Sequence, residues 1–423
     1  MQKKPSLTFP KRFLWGAATS AHQIEGGNHN DWTVWELENA KAKAAQGEYR
    51  YHDLEVYEKE KVREEIKSPD NYISGKLADH YNKYEEDFDL IKELNLNAFR
   101  FSVEWSRIEP KEGQWDAEAI EHYREYIASL KKRGIEPMMT LIHFTVPEWF
   151  REKGAFEKRS NIKYFVRYAE KVINELGKDI RYVITINEPD TVIYMGYLRG
   201  EWPPMKQSKW LAWRVANNQI RAHNLAARMI HKTNRRFKVS IAKNSFYFFP
   251  GDDAWLSGLS ARFFQYVQDD YILKRVRKTC DFIGVNYYFS SRVYGYRIHN
   301  EDERLSDLGW DMHPDHLQHV LERLHEKYKL PLIVTENGLA DHSDTYRKWW
   351  LMKTMMALSE ALKEGVDLRG YFHWSLLDNF EWAHGKWPDF GLVEVEYDTM
   401  KRTIRPSALW WRKVLGKIQK EAR

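Results

Sequence analysis

Short apolar runs recur along the chain, each closed by polar or glycine-containing residues and followed by a helical repeat or a long polar stretch. Eight can be picked out, near Leu14–Ala18, Asn97–Phe101, Pro137–His143, Tyr182–Asn187, Val239–Ala242, Phe282–Asn286, Leu332–Thr335 and Gly370–Trp374. They run apolar without strict alternation, as strands buried on both faces of a parallel sheet do. Tyr81, Tyr84, Phe88 and Ile91 recur at helical spacing after the first run. Further helices are predicted over Ala117–Arg133, Ile162–Leu176, Trp210–Lys232, Leu317–Tyr328, Lys348–Lys363 and Ser407–Lys420. Alternating strands and helices imply an α/β fold, and a count of eight suggests a closed (β/α)8 TIM barrel with long loops on its C-terminal face. A doubly wound open sheet is the alternative, but no Gly-x-Gly-x-x-Gly follows the first run. No Gly-, Pro- or Ser-rich linker and no repeat period divides residues 1–423, so one domain is expected. Lys41–Lys67 is charge-dense and lacks a clear apolar stripe. It and Arg297–Asp315 read as solvated excursions near the rim.

Two of the strands end in a glutamate. Pro331 marks the start of Leu332-Ile333-Val334-Thr335, which delivers Glu336 before Asn337-Gly338 breaks the strand. Tyr182-Val183-Ile184-Thr185-Ile186 has the same design, with Asn187-Glu188 at its end and Pro189 stopping it. One strand-end glutamate is most simply explained by pairing with an arginine. Two such glutamates meet the requirement of glycosidic bond cleavage, where one carboxyl protonates the leaving oxygen and the other attacks or activates water.

Composition narrows the field. Lysine plus arginine exceeds aspartate plus glutamate by 5, and the charges are interspersed, so no nucleic-acid surface is implied. Cys280 is the only cysteine, which excludes an internal disulfide and suits a reducing cytosol; it is expected to be packed in the fold. Lys3, Lys4, Lys11 and Arg12 precede an apolar segment too short for a secretory leader, and no run approaches the length of a membrane span. A cytoplasmic protein is expected, with peripheral membrane contact and oligomeric state left open. The 18 Trp and 24 Tyr suit a carbohydrate site, although composition alone favours a large aromatic core. The many Lys, Glu and Arg are compatible with a thermophilic source.

The motifs resemble glycoside hydrolase family 1, the retaining β-glycosidases, over essentially the whole chain. The N-terminal stretch Phe13-Leu14-Trp15-Gly16-Ala17-Ala18-Thr19-Ser20-Ala21-His22-Gln23-Ile24-Glu25-Gly26 is similar to that family's signature. Phe99-Arg100-Phe101-Ser102, Trp105-Ser106-Arg107 and His143-Phe144-Thr145-Val146-Pro147 follow in order. So do Thr185-Ile186-Asn187-Glu188-Pro189, Asn286-Tyr287-Tyr288, Thr335-Glu336-Asn337-Gly338 and Trp374 through Trp382, with Phe390-Gly391-Leu392 behind.

The resemblance implies Glu188 as acid/base, Glu336 as nucleophile and retention of the anomeric configuration. Retention needs carboxyl groups about 5 Å apart. At an effective dielectric near 20, two charges at that distance repel by roughly 3 kcal/mol, about two pKa units, enough to keep one glutamate protonated near neutrality. Arg100 is expected beside Glu336, Tyr288 as its hydrogen-bond donor, and Asn187 at the sugar 2-hydroxyl. The resemblance further implies substrate contacts from Gln23, His143, Asn286, Trp374 as a stacking floor, Glu381, Trp382 and Phe390. An anion at Glu381 would repel phosphate, which argues for unphosphorylated β-glucosides or β-galactosides; Glu188 separates the chain from thioglucoside-cleaving relatives. No cofactor or metal is implied.

Two departures limit the transfer. The chain is short for the family, and Gly385-Lys386-Trp387-Pro388-Asp389 departs from the commonest pattern before Phe390, which puts hydroxyl contacts from Lys386 or Trp387 in doubt. Phe246-Tyr247-Phe248-Phe249-Pro250 follows the fifth strand and is expected on the rim, where it would favour alkyl or aryl leaving groups. His313, Asp315, His316 and His319 could suggest a metal site, but a helix start explains them better. Competing functions are a transglycosidase with the same covalent intermediate and a sugar-binding barrel without catalysis.

Overall fold

A computed structural model describes residues 7–300 and 304–421 of the chain. Eight parallel strands close into a barrel: β1 (Leu14–Ala18), β2 (Ala98–Ser102), β3 (Glu136–Ile142), β4 (Tyr182–Asn187), β5 (Lys238–Asn244), β6 (Ile283–Asn286), β7 (Leu332–Asn337) and β8 (Leu368–Trp374). The seam joins last to first, with Leu14 opposite Gly370 and Ala18 opposite Trp374, while Gly16 faces Ala98 on the other side.

The continuous apolar runs have a simple cause. Alternate residues of one strand enter two different apolar compartments. Phe99, Phe101, Met139, Leu141, Val183 and Val334 pack against the surrounding helices. Ala98, Met138, Ile184, Ala242, Ile333 and Phe372 fill the barrel interior. The barrel is therefore a packed core, and Asn187, Asn244, Asn286, Glu336 and Asn337 stand at or beside the C-terminal ends of their strands.

The outer helices carry the expected stripes. Ile162–Leu176 buries Ile162, Phe165, Tyr168, Ala169, Val172, Ile173 and Leu176, a pattern of three- and four-residue steps. The helices predicted at 317–328, 348–363 and 407–420 are present at Leu317–Tyr328, Arg347–Lys363 and Pro406–Glu421.

Two readings are corrected. Lys41–Lys67 is not a solvated excursion: helices run over Asp31–Tyr51 and Glu60–Lys67. Ala40, Ala44, Gly47 and Tyr51 are buried on the first, Val62 and Ile66 on the second. The burying face of the first helix is made largely of small residues, so its stripe is faint against the surrounding charges. The second concerns the apolar segment after β5, expected as a loop, which forms a short strand, Tyr247–Pro250, with helices following over Trp255–Gln265 and Tyr271–Val276. The first of these helices turns Trp255, Leu259 and Phe263 outward, so its apolar residues do not mark a core-facing stripe. Residues 301–303, within the expected Arg297–Asp315 excursion, and Lys3 and Lys4 lie outside the described residues. Among the described residues no helix is long and apolar enough to cross a membrane.

Candidate active site

Both glutamates are aimed inward by irregular strand ends. In β7, Ile333 faces the barrel interior and Val334 the helices, so unbroken alternation would turn Glu336 outward. The pairing with β6 shifts register between Val334 and Glu336. In β4, Thr185 faces outward to His223, and the pairing with β5 shifts between Ile184 and Asn187, which brings Asn187 inward onto Arg100 and Asn286. Irregular pairing of this kind re-aims a side chain without moving the strand. Glu188 then takes the left-handed backbone conformation, with φ 37°, immediately before Pro189. Such a conformation costs on the order of 1 kcal/mol or more for a residue other than glycine, and here it points the carboxyl across the barrel mouth. The strand runs one residue beyond the expected break, because Asn337 is buried and donates to the Tyr287 carbonyl at 2.7 Å. Gly338 follows where a Cβ would lie 1.7 Å from the Trp374 carbonyl oxygen, so no other residue fits.

Glu336 is paired with a buried cation. Arg100, from β2, donates to Glu336 Oε1 at 2.5 Å, and the Tyr288 hydroxyl donates to Oε2 at 2.7 Å. Arg100 has no exposed side-chain surface. Its guanidinium is spread further over Asn187 Oδ1 at 2.7 Å and Thr140 Oγ1 at 3.1 Å. Burial raises the Glu336 carboxyl above its ordinary range, and Arg100 with Tyr288 opposes that rise.

Among the described residues no cation pairs with Glu188. Asn286 Nδ2 donates to its Oε1 at 2.7 Å and Thr191 Oγ1 lies 2.8 Å from its Oε2. Burial, followed by the charges of Glu336 and Asp190, pushes its pKa up to about 8. The second hydrogen of Asn286 Nδ2 goes to Asn187 Oδ1 at 3.2 Å. The two carboxyls therefore differ in their partners, a buried guanidinium for Glu336 and neutral donors for Glu188.

The remaining expected residues surround this pair, some of them in a different role. Asn286 is fully engaged, since its Oδ1 accepts from Thr335 Oγ1 at 2.7 Å; it orients Glu188 rather than facing a ligand. Gln23 is buried, with Nε2 donating to Asn379 Oδ1 and the Phe380 carbonyl, and Oε1 within 2.6 Å of Ser20 Oγ. Asn187 Oδ1 accepts from Arg100 and Asn286, so its Nδ2 donates to His143 Nε2 at 3.1 Å. That leaves His143 Nδ1 with the ring hydrogen and no protein partner, and burial keeps the ring neutral. Trp374 and Trp382 both lie nearly parallel to the His143 ring, with ring centroids 5.6 and 6.2 Å away.

Glu381 Oε2 is buried without a partner. Burial, then the charges of Glu336 and Glu188, lifts its pKa to about 8. The expectation of an anion there is corrected: beside two other carboxyls it is held protonated at neutral pH. Phe390 is also corrected, being fully buried behind Tyr288 and Trp310 with no surface for a ligand. The Lys386-Trp387 loop is pinned by Asn71 Oδ1, which accepts from both backbone N–H groups, and Trp387 is buried against Tyr51.

Outside the pocket a series of aromatic rings leads away from Tyr288. Trp310 lies 5.7 Å from Tyr288 and 5.5 Å from Phe289; Phe246 stacks on Phe289 at 4.4 Å. Phe248, Phe264 and the exposed Phe263 continue the series. The expected rim segment at 246–250 is thus a strand with two faces, Phe246 and Phe248 joining this series while Tyr247 and Phe249 pack on His316. His316 Nδ1 is 3.0 Å from Ser290 Oγ and His313 Nε2 is 3.0 Å from Asp311 Oδ2, contacts of a folded loop. No group of three or more His, Cys, Asp or Glu among the described residues is arranged to hold a metal ion. Cys280 is buried, its thiol pushed up to about 12 by burial.

Trp310, Thr191 and Asn244 have no counterpart among the expected site residues. Thr191 follows Glu188 by three positions across the turn begun at Pro189, a spacing that brings side chains together. Trp310 lies in a polar loop with no periodicity to mark it.

Comparison with known proteins places this geometry in company. A family model described as glycosyl hydrolase family 1 matches residues 6–266 and 264–420. Beta-glucosidase A of Acetivibrio thermocellus is 29% identical over 97% of this chain and 98% of its own length. A beta-galactosidase of Sulfolobus acidocaldarius is 29% identical, over 96% and 95%. Among solved structures, a beta-glycosidase from Pyrococcus horikoshii superposes with a TM-score of 0.85 at 35% identity, covering 97% of this chain and 95% of the other.

Proposed function

The chain belongs to glycosyl hydrolase family 1 and is a retaining β-glycosidase; from that premise we propose that Glu188 is its acid/base, Glu336 its nucleophile, and β-D-glucosides its principal substrates. The observation that carries the assignment is the asymmetry of the pair. Glu336 is paired with the buried cation of Arg100 and with Tyr288, whereas Glu188 has only neutral donors among the described residues.

The chemistry follows in two displacements. Glu336 attacks the anomeric carbon as the bond to the leaving oxygen breaks and Glu188 gives that oxygen its proton. The glycosyl ester on Glu336 carries no charge, so one of the causes holding Glu188 protonated disappears. Ionised Glu188 then takes a proton from water as the water oxygen bonds to the anomeric carbon and the ester bond breaks. Two inversions give retention.

Asn187 and the Nδ1–H of His143 are the proposed donors and acceptors for ring hydroxyls, with protonated Glu381 beside them. A neutral carboxyl both donates and accepts, which suits vicinal hydroxyls. β-D-Galactosides are proposed as secondary substrates, as the name of the Sulfolobus relative suggests. The ring series from Tyr288 to Phe248 supports a preference for alkyl or aryl aglycones. With one cysteine in the sequence, a reducing cytosol is the proposed setting.

A panel of nitrophenyl β-glycosides tests the reading, with wild type beside Glu336→Ala. Turnover of the β-glucoside by wild type, and loss of at least about 10³-fold in the variant, is expected. Absence of turnover on every member, or an active Glu336→Ala, would overturn it.

A further inference from the structure

The turn after Glu188 brings a hydroxyl back onto its carboxyl. Glu188 N donates to the Ala242 carbonyl at 2.8 Å, and Thr191 N donates to the Glu188 carbonyl at 3.0 Å, which closes the turn over Pro189 and Asp190. Thr191 Oγ1 then sits 2.8 Å from Glu188 Oε2 and 3.1 Å from Asn244 Nδ2. An amide nitrogen only donates, so Asn244 occupies an acceptor position of the hydroxyl and directs its hydrogen towards Glu188. The main chain of Asn244 is fixed, since its backbone carbonyl accepts from Gln268 Nε2 at 2.7 Å and from Lys243 Nζ, while its side chain is held by the bond to Thr191 alone, its Oδ1 being buried without a partner among the described residues. Gln268 also donates to Asp190 Oδ2 at 2.9 Å, as does Lys243.

We propose that Thr191 is a positioning residue for the acid/base: its hydroxyl, oriented by Asn244, locks the Glu188 carboxylate when it is ionised and aims it at the incoming water. This rests on the assignment of Glu188 given above. Of the two partners of Glu188, Asn286 is a fixed donor, and Thr191 is the only one that can also accept. The hydroxyl donates while Glu188 is an anion and can rotate when Glu188 carries its proton, so a single group serves both halves of the cycle.

The sign of its effect follows from the groups around Glu188. Glu336 from β7 and Asp190 from its own turn favour the protonated form, while Glu381 from the loop after β8 is itself held protonated and adds no charge. Asn286 from β6 favours the ionised form, as does Thr191. Arg100 and Lys243 face Glu336 and Asp190 and bear on Glu188 through them, while His143 is neutral and Tyr288 donates to Glu336. Removing the Thr191 hydroxyl therefore removes one of two donors and leaves every cause of protonation in place.

Thr191→Val and Thr191→Ser test this with the purified full chain on a nitrophenyl β-glucoside. In Thr191→Val the basic limb of the kcat/KM profile is expected to move up by about one pH unit, and kcat near neutrality to fall about threefold. Thr191→Ser should return both to the wild-type values, because it restores the hydroxyl. Asn244→Ala, which frees the hydroxyl without deleting it, should give a shift of the same sign and smaller size, and stands in if Thr191→Val does not fold. An unmoved basic limb in a folded Thr191→Val, or equal impairment of Thr191→Ser, overturns the proposal while wild-type turnover leaves the assignment of Glu188 intact. An inactive wild type would overturn both.

Discussion

Arg100 Nη1 lies 2.5 Å from Glu336 Oε1 while Nη2 of the same guanidinium lies 2.7 Å from Asn187 Oδ1. One planar cation thus fixes the nucleophile and, through Asn187, the tautomer of His143. Lysine has the charge without the fork and cannot reach both oxygens. Arg100→Lys is expected to lower kcat/KM by about 10²–10³-fold. Its acid limb should move to higher pH, since a weakened partner lets burial raise the Glu336 carboxyl further. Steady-state kinetics across pH 4–7 check both.

Glu188 supplies the opposite limb. With its pKa near 8, the proton needed for the first step is lost above that value, so kcat/KM on a nitrophenyl glucoside should fall through about pH 8. Glu188→Gln removes acid and base together. It should cost about 10³-fold on alkyl glucosides, much less in the first step on a dinitrophenyl glucoside, and added azide should restore turnover with a glycosyl azide as product.

Glu381 makes a stability prediction with a defined sign. Its folded pKa, about 8, exceeds that of an unfolded glutamate. The stability it contributes is present in acid, below the unfolded value, and is lost as pH rises through about 8. Glu381→Gln, which cannot ionise, should therefore melt a few degrees above wild type at pH 8, with the gap closing at pH 4. KM for glucosides should rise in the same variant. A melting difference independent of pH would show that the carboxyl does not titrate as placed.

The aromatic series predicts a dependence on aglycone length. Each methylene laid on Trp310, Phe289 and Phe246 loses part of its contact with water, about 0.8 kcal/mol at full burial and less on an open surface. For alkyl β-glucosides, kcat/KM should rise about twofold per methylene from butyl to octyl. Trp310→Ala should flatten that slope and lower the octyl value about tenfold. A flat slope in wild type would remove the proposed aglycone preference.

The fold was legible because each strand serves two apolar compartments, so runs such as Ala98–Ser102 stand out regardless of face. Helices with a wide stripe were equally plain. Asp31–Tyr51 was not, because Ala40, Ala44 and Gly47 bury little area per residue among many charges. The two glutamates could be found from their strand-end positions, but their inward aim could not, since it depends on a register shift of β7 against a strand distant in the chain and on the left-handed backbone at Glu188. Protonation was out of reach at Glu381 for a related reason. Its pKa is set by burial beside Glu336 and Glu188, and a residue's neighbours across the barrel mouth leave no trace in its own local sequence.

The central claim is that Glu336 becomes covalently glycosylated, and a 2-deoxy-2-fluoro-β-glucoside with a good leaving group tests it most directly. The fluorine slows release of the intermediate, so the intact protein should gain one fluoroglucosyl mass, and peptide mapping should place it on Glu336. An active wild type that takes up no label, or carries it on any other residue, would contradict the account.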